Sequence, residues 1–429
     1  MLAKGWHYFS QRKILLLQGP VGPFFRRLSV MLEDAGAKAV HKVNFNGGDW
    51  LFYPSRAISY TGAPSGWTTF LERLLRDLQI DTIMLFGDCR PAHVAARQVA
   101  HACGVEVWVF EEGYVRPDFV TMERGGTNGH SSIPRYADFY RGLPETSTVP
   151  ERQVGPVFQR LAAWATLYGL AAMAGGAFYP RYRHHRSLSA GEGVAWIRAG
   201  WRKVAYKIKE RGMLEHLVQQ KSGRYFLVSL QTAIDSQIVV HSPFASLDAF
   251  IDDVISSFSR SCDGGYDLVF KHHPLDRGHN DYGAVIRNAA AARGVAFRVH
   301  YIHDQHLPTL LQHAAGLVLV NSTVGLSGIH HGLPVKALGD AIYDFGGLTF
   351  QGSLDEFWSG ARSFRPDMSL YRRFRHYVIE HTQLNGSFYA GRLERVARNE
   401  GNRPSIMAAG EGKRRHQPSA LTPDLNDQP

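Results

Sequence analysis

Two kinds of apolar pattern run along the chain. Short unbroken apolar runs, such as ILLL at 14–17, are too short for a helix and read as buried strands. Longer stretches with apolar residues every three or four positions read as helices with one buried face. In the first third the two kinds alternate. Strands are expected at 13–18, 39–45, 82–87 and 105–110. Helices are expected at 24–35, 67–78 and 93–103, with Gly36 and Gly104 as stops. Strand, helix, strand with short Gly-marked joints predicts a parallel sheet with helices on its faces.

The rhythm is lost over 137–222 and then resumes. Strands are expected at 225–230, 266–271, 295–301, 317–320 and 335–338, and helices at 244–260, 282–293, 307–315 and from Asn321 to His331. The chain therefore reads as α/β: two Rossmann-like parallel-sheet domains facing a central cleft, with a helical insert. The expected divisions are an N-terminal Rossmann-like domain at 1–136 and the insert at 137–222. A second Rossmann-like domain follows at 223–350, then C-terminal helices at 351–400 and a disordered tail at 401–429. Within the insert, 161–178 is apolar and rich in Ala and Gly, with Arg160 before it and Arg181, Arg183, His184, His185 and Arg186 after it. A buried helical pair and an interfacial membrane segment both fit that pattern, since basic flanks attract anionic lipid. Replacing Arg181, Arg183 and Arg186 is expected to weaken binding to anionic vesicles. Residues 196–209 add a basic helix.

In open parallel sheets ligands sit at the carboxyl ends of strands, and the unusual polar clusters fall there. The ends of the first four strands carry Gly19-Pro20-Val21-Gly22, Asn46-Gly47-Gly48-Asp49, Gly87-Asp88-Cys89-Arg90 and Glu111-Glu112-Gly113-Tyr114. In the second unit they carry Gln231, Lys271-His272-His273-Pro274 and Asn321-Ser322-Thr323. Gly19 and Gly22 complete no dinucleotide fingerprint; they suit either a close backbone approach to a ligand or a plain tight turn. Asp88, Glu111 and Glu112 are the catalytic candidates, because two carboxylates near an anomeric carbon supply a nucleophile and a proton-transfer group. The alternative is a helix cap, or a pairing with Arg90 or Arg116. Lys271, His272 and His273 suit a phosphate, with Pro274 stiffening the turn. Asn321, Ser322 and Thr323 either hold a phosphate at a helix start or simply cap that helix. His300, His303 and His306 recur every three residues, but without a matching acidic pattern, so no metal is expected.

Composition narrows the partners. A formal net charge of +10 over 429 residues suggests an anionic partner, whether nucleic acid, a membrane surface or an acidic substrate, with solubility alone as the plain alternative. Three cysteines, Cys89, Cys103 and Cys262, form no CxxC pair and suit a reducing cytosol. The N-terminal apolar run lacks a signal-peptide cleavage pattern, and no run of about 20 apolar residues would span a bilayer.

These stretches together resemble a known family. LLLQGPVGPFFRRL, NFNGGDWLF, LFGDCRP, VFEEGYVRPDFVTMERGGTNGHS, VSLQTAIDSQIVVHSPF, VFKHHPLDRG and VNSTVGLSGIHHGLPVKALGDAIYDFGGLT are similar to the S-type capsular polysaccharide export proteins of group 2 capsule systems. The resemblance implies a retaining β-Kdo glycosyltransferase of GT-B-like type that takes Kdo from CMP-β-Kdo, with no further cofactor, the acceptor and catalytic groups on the 1–136 domain and the nucleotide sugar on the 223–350 domain. It implies a phosphatidylglycerol-type lipid acceptor and the start of the poly-Kdo linker of a capsule. The implied setting is cytoplasmic and peripheral on the inner membrane, beside other capsule synthesis and export proteins and without nucleic acid. Asp88, Glu111 and Glu112 fall where the family's acids belong, and His273-Pro274 matches its HisPro element. Gln231 is followed by Thr232 where relatives often have Pro. Arg90 and Arg116 are candidates for the Kdo carboxylate. A non-catalytic glycolipid-binding export factor and a sialyltransferase-like enzyme with another CMP-sugar remain as rivals.

Overall fold

The computed structural model describes residues 2–145, 151–182, 190–232, 238 and 240–394. Arg183, His184, His185, Arg186 and the 401–429 tail lie outside them. The first half supplies β1 (Lys13–Leu16), α1 (Phe24–Asp34), β2 (Ala39–Asn44), α2 (Gly47–Phe52), β3 (Ala57–Ser59), α3 (Trp67–Asp77), β4 (Thr82–Phe86), α4 (Pro91–Ala102), β5 (Glu106–Glu112), β6 (Phe119–Arg124) and α5 (Ala137–Arg141). The insert contributes α6 (Phe158–Ala174), α7 (Ala190–Lys209) and α8 (Met213–Gln219). The second unit runs through β7 (Tyr225–Ser229), α9 (Leu247–Ser261), β8 (Asp267–Lys271), α10 (Gly283–Ala292), β9 (Val299–Ile302), α11 (Leu307–His313), β10 (Gly316–Leu319), α12 (Val324–His330) and β11 (Val335–Ala337). The chain ends with α13 (Leu354–Gly360), α14 (Met368–Thr382), β12 (Gln383–Ser387) and β13 (Ala390–Glu394).

Both sheets carry the same parallel core. In the first the order is β5-β4-β1-β2-β3, and in the second β11-β10-β7-β8-β9. Each is a Rossmann-like winding in which the chain starts at the centre, runs to one edge, and returns to fill the other side. The point of reversal lies between β1 and β4 in one sheet and between β7 and β10 in the other. Strand alternation sorts the first core. Leu15, Val43, Ile83, Leu85, Val107 and Val109 pack towards α3 and α4. Ile14, Leu16, Met84, Trp108 and Phe110 face Phe24, Phe25 and Leu28 of α1, together with Phe388. In the second sheet, Phe226, Val228, Leu268 and Phe270 meet Phe250, Ile251 and Val254 of α9 and Trp358 of α13.

Four features depart from the sequence expectation. The first sheet is not wholly parallel, because β6, β12 and β13 extend it antiparallel. The connection from β5 to β6 is too short for a crossover, so β6 must double back. Part of the segment expected as C-terminal helices is instead these last two strands, which return to the first sheet after α14. The strand expected at 295–301 opens with a short helical turn at Ala296–Arg298, so β9 starts at Val299. Finally, 161–178 is not a buried helical pair. It is one helix, α6, with Tyr168 its only buried residue, while Leu167, Leu170 and Met173 stand exposed.

Candidate active site

At the first reversal point, Gln18 follows β1 and Gly87-Asp88-Cys89-Arg90 follows β4. Arg90 Nη1 donates to Gln18 Oε1 at 3.0 Å, and the guanidinium lies 5.1 Å over the Phe86 ring. Gly87 takes φ +71°, a conformation a side chain resists. Its carbonyl meets His93 Nδ1 at 2.7 Å. His93 is buried and its pKa is driven down to about 3, by burial first and then by Arg90. It is therefore a neutral strut that fixes the Gly87 turn.

Asp88 has no solvent exposure. Its Oδ2 lies 2.9 Å from His130 Nδ1, 3.2 Å from the Thr127 N–H and 3.5 Å from Arg97 Nη1. Its Oδ1 accepts from Cys89 Sγ at 3.4 Å. Glu111, next to last in β5, lies on the same side. A methyl group built on Gly87 would stand 3.6 Å from both Arg90 Nε and Glu111 Oε2, so acid and guanidinium flank the same turn. Burial, helped by the nearby charges of Glu112 and Asp88, raises Glu111 to about 7. Glu112 points the other way, as alternation along β5 requires. Its neighbours are Tyr389 and Arg116, and burial raises its pKa too. Arg116 is exposed and donates to the Gly113 carbonyl at 3.2 Å.

The space at two predicted donor contacts is already filled. A methyl on Gly19 would strike the Phe25 ring at 2.9 Å, and one on Gly22 would strike Trp164 at 2.6 Å. The insert helix α6 reaches this sheet end as well. Tyr168 passes over Gly48 and places its hydroxyl 2.9 Å from Asp49 Oδ1, 3.1 Å from Gln18 Nε2 and 2.8 Å from Asn46 Nδ2. Tyr182 adds a fourth polar group, 2.9 Å from Gln18 Nε2. This network braces the Gln18–Arg90 pair. Tyr168→Phe would leave buried Asp49 and Asn46 short of a partner, at about 1–3 kcal/mol. Urea unfolding should report that loss, and an unchanged midpoint would show that the network is not a brace.

At the second reversal point, Gln231 and Asn321 exchange hydrogen bonds. Gln231 Nε2 donates to Asn321 Oδ1 at 3.0 Å, and the Asn321 N–H donates to Gln231 Oε1 at 3.3 Å. Ser322 Oγ accepts from the Val324 N–H at 3.3 Å, whereas the Thr323 side chain makes no capping bond to α12. Lys271 is buried at the end of β8, its Nζ donating to the His303 carbonyl at 3.2 Å, and burial lowers its pKa. His272 Nδ1 lies 2.7 Å from the Tyr301 hydroxyl, and burial takes it down to about 4, so it is neutral at pH 7. His273 accepts from the Leu275 N–H at 3.2 Å and caps the Pro274–Asp276 turn. His300, His303 and His306 go to separate partners: Asp267, Glu210 and Thr309.

The two strand ends meet at His241, which sequence reasoning did not single out. Its Nε2 lies 3.5 Å from Cys89 Sγ, and its ring stands edge-on to His130 with centroids 4.5 Å apart. Gly129 lies so close beneath it that any side chain there would collide with Nδ1. The His241 carbonyl accepts from Asn321 Nδ2 at 3.3 Å. A continuous path thus runs from Asp88 through Cys89 and His130 to His241, Asn321 and Gln231. Cys89, His130 and His241 offer ligand-type atoms within 4.8 Å of one another, a spacing open to a soft cation. Beside His241 an open cavity of about 580 Å³ is walled by Ser242, Lys336, Gly339, Asp340 and Asp344, a size that suits a small ligand.

The structure therefore brings Asp88, Arg90 and Glu111 together, and joins Asp88 to Asn321 and Gln231. It leaves Gly19, Gly22, Glu112 and Arg116 apart from that path. Lys271 and His272 engage Tyr301 and His303 instead.

Comparison with known proteins agrees with the motif resemblance. The chain is 43% identical over 382 residues to the capsule polysaccharide export protein KpsS of Escherichia coli, covering 89% of this chain and 97% of that one. It is 38% identical over 390 residues to the capsule polysaccharide modification protein LipB of Neisseria meningitidis serogroup B, covering 89% and 92%. Among solved structures it is similar to the beta Kdo 2,7 transferase of Thermosulfurimonas dismutans KpsC, at 12% identity and a TM-score of 0.39, covering 85% of this chain and all of that one. Residues 81–389 match the family described as capsule polysaccharide biosynthesis protein, and the chain belongs to that family.

Proposed function

We propose that this protein is a glycosyltransferase that moves Kdo from CMP-β-Kdo to a phosphatidylglycerol-type lipid and so begins the linker of a capsular polysaccharide. One observation carries the reading. The reversal points of two Rossmann-like sheets, where such folds bind ligands, meet across His241, with carboxylates on one side and an amide pair on the other. The named capsule relatives support the pathway, and the motif resemblance supports the donor. No helix among the described residues is long and apolar enough to cross a membrane. The acceptor would be met at the inner membrane surface, as the motif resemblance implies, in company with other capsule proteins. In α6, Leu167, Leu170 and Met173 face solvent, and Arg181 after it is also exposed, which favours a lipid contact there.

In the proposed cycle, an oxygen of Asp88 attacks the anomeric carbon of Kdo as the bond to the CMP phosphate breaks. CMP leaves with the bonding electrons. Lys271, His272 and His273 are the residues nearest in kind to a phosphate grip, and Ser322 and Thr323 lie on the neighbouring loop. The acceptor hydroxyl then attacks the glycosyl-enzyme, Glu111 takes its proton, and the Asp88 carboxylate is released. Arg90, next to Glu111, would hold the Kdo carboxylate. Asp88 is walled in by Cys89, His130 and His241, so this cycle requires the wall to open.

The deciding experiment is mass spectrometry of a lyso-phosphatidylglycerol acceptor incubated with CMP-Kdo and the protein. A single added Kdo with matching CMP release is expected. Neither product would leave the non-catalytic glycolipid-binding reading, and a preference for another CMP-sugar in competition would replace the donor. The scheme needs no cofactor, so a chelator should leave the rate unchanged. Loss of activity restored by zinc would instead make Cys89, His130 and His241 a metal centre.

A further inference from the structure

The second insert helix, α7, has two unlike faces. Arg198, Arg202, Tyr206 and, just beyond its end, Glu210 follow one another at intervals of four and share one face. That face is occupied. Arg198 Nε donates to the Gly278 carbonyl at 2.6 Å and Arg202 Nη1 to the Arg277 carbonyl at 2.8 Å. The Tyr206 ring stacks on His303 with centroids 3.5 Å apart, and Glu210 binds both the His303 N–H and its ring. The opposite face carries Trp201, Val204 and Ile208, which are 70%, 61% and 72% exposed. Lys207 and Arg211 border this stripe on one side, with Lys203 next round the helix; these three and Lys209 are all exposed. Among the described residues none of the four forms an ion pair. The only carboxylate between positions 195 and 211 is Glu210, which is buried against His303.

We infer that this face of α7 docks on an anionic phospholipid bilayer, with the helix lying along the surface. Burying Trp201, Val204 and Ile208 among acyl chains removes exposed apolar area from water. An indole is also well suited to the boundary between lipid and water. Lysine stems lie along the apolar surface while their ammonium groups reach lipid phosphates. A second copy of the chain is disfavoured as the occupant, because matching faces would set the cations beside one stripe against those beside the other. The apolar stripe of α6 lacks such a border of cations along its length, so the charge argument belongs to α7. The inference deepens the lipid-acceptor reading and rests on it for its meaning in catalysis. Glu210 ties the end of α7 to His303, whose carbonyl holds Lys271. The docked helix would therefore place the second sheet's strand ends close to the bilayer.

The test is co-sedimentation of the full chain with vesicles of phosphatidylcholine alone and of equal parts phosphatidylcholine and phosphatidylglycerol, without sugar donor. Binding is expected only with phosphatidylglycerol and should fall as salt rises. Lys203→Gln with Lys207→Gln should weaken it on the order of tenfold at low salt. Trp201→Ala with Ile208→Ala should weaken it at least as much at every salt concentration. All four side chains are exposed, so the thermal midpoint should not move; if the apolar pair fails to fold, the lysine pair still decides. Unchanged vesicle binding in both variants would overturn the inference. So would binding lost only in Leu170→Asp of α6, or a concentration-dependent dimer abolished by Trp201→Ala. A protein that docks through α7 yet transfers no Kdo sinks the transferase reading alone. One that transfers Kdo to a soluble lyso-lipid while docking elsewhere sinks this inference alone.

Discussion

Asp88→Asn is expected to lower sugar transfer by roughly four orders of magnitude or more, because an amide is no nucleophile towards an anomeric carbon. It should also destabilise the fold. The carboxylate accepts from His130, the Thr127 N–H and Cys89, and lies 3.5 Å from Arg97, with no solvent to replace it. An amide keeps the volume but turns one oxygen into a donor, so at least one of these donors faces another donor. Breaking a buried pair of this kind costs about 3–5 kcal/mol. Both losses are measurable on one preparation, by CMP release and by urea unfolding. Near-normal transfer by a folded Asp88→Asn protein would end the nucleophile assignment. A stability loss without a rate loss would leave Asp88 as the residue that orients His130.

Glu111→Gln should reduce transfer by about two to four orders of magnitude, the usual contribution of a positioned acid–base group. Its effect on stability should have the opposite sign. The folded protein holds Glu111 at about 7 against an ordinary value of 4.5. Between those two pH values the unfolded chain releases the proton while the folded chain retains it. Stability therefore falls as pH rises through that window and stays reduced above it. The gap corresponds to roughly 3 kcal/mol as an upper figure. Gln carries no such cost, so the variant should match the parent near pH 4.5 and exceed it at pH 8. The parent's rate should also climb as pH rises through about 7, where Glu111 becomes able to accept a proton, and the variant should lose that limb. A parent profile flat across neutrality would remove Glu111 from proton transfer. These opposite signs are the pattern expected when a catalytic group is held against its own solvation.

Much of the architecture is written in local pattern. The ILLL run is fully buried, from within β1 to the residue after it, and the apolar runs before Asp88, Glu111, His272 and Asn321 are strands whose ends carry the polar clusters. Strand periodicity also separates Glu111 from Glu112, since neighbours on a strand face opposite sides. Naming both as catalytic candidates passes over a distinction that the sequence contains. Gly22 and Gly48 illustrate another limit. Their lack of a side chain is visible, but the neighbours that demand it, Trp164 and Tyr168, come from a helix more than a hundred residues away.

Local pattern accounts for the two windings, their strand-end chemistry and the basic face of α7, because apolar period, turn residues and charge act over a few positions. Long-range contact accounts for the rest. The polar run of β12 becomes a strand because the edge of β6 offers it hydrogen-bond partners. Cys89, His130 and His241 lie far apart along the chain and carry no shared local signal, yet folding sets them side by side. Glu111 is an ordinary carboxyl in sequence, and its raised pKa arises from the protein packed around it. Burial and proximity are properties of the folded chain, and they assign the acids, imidazoles and amides of this site to their places.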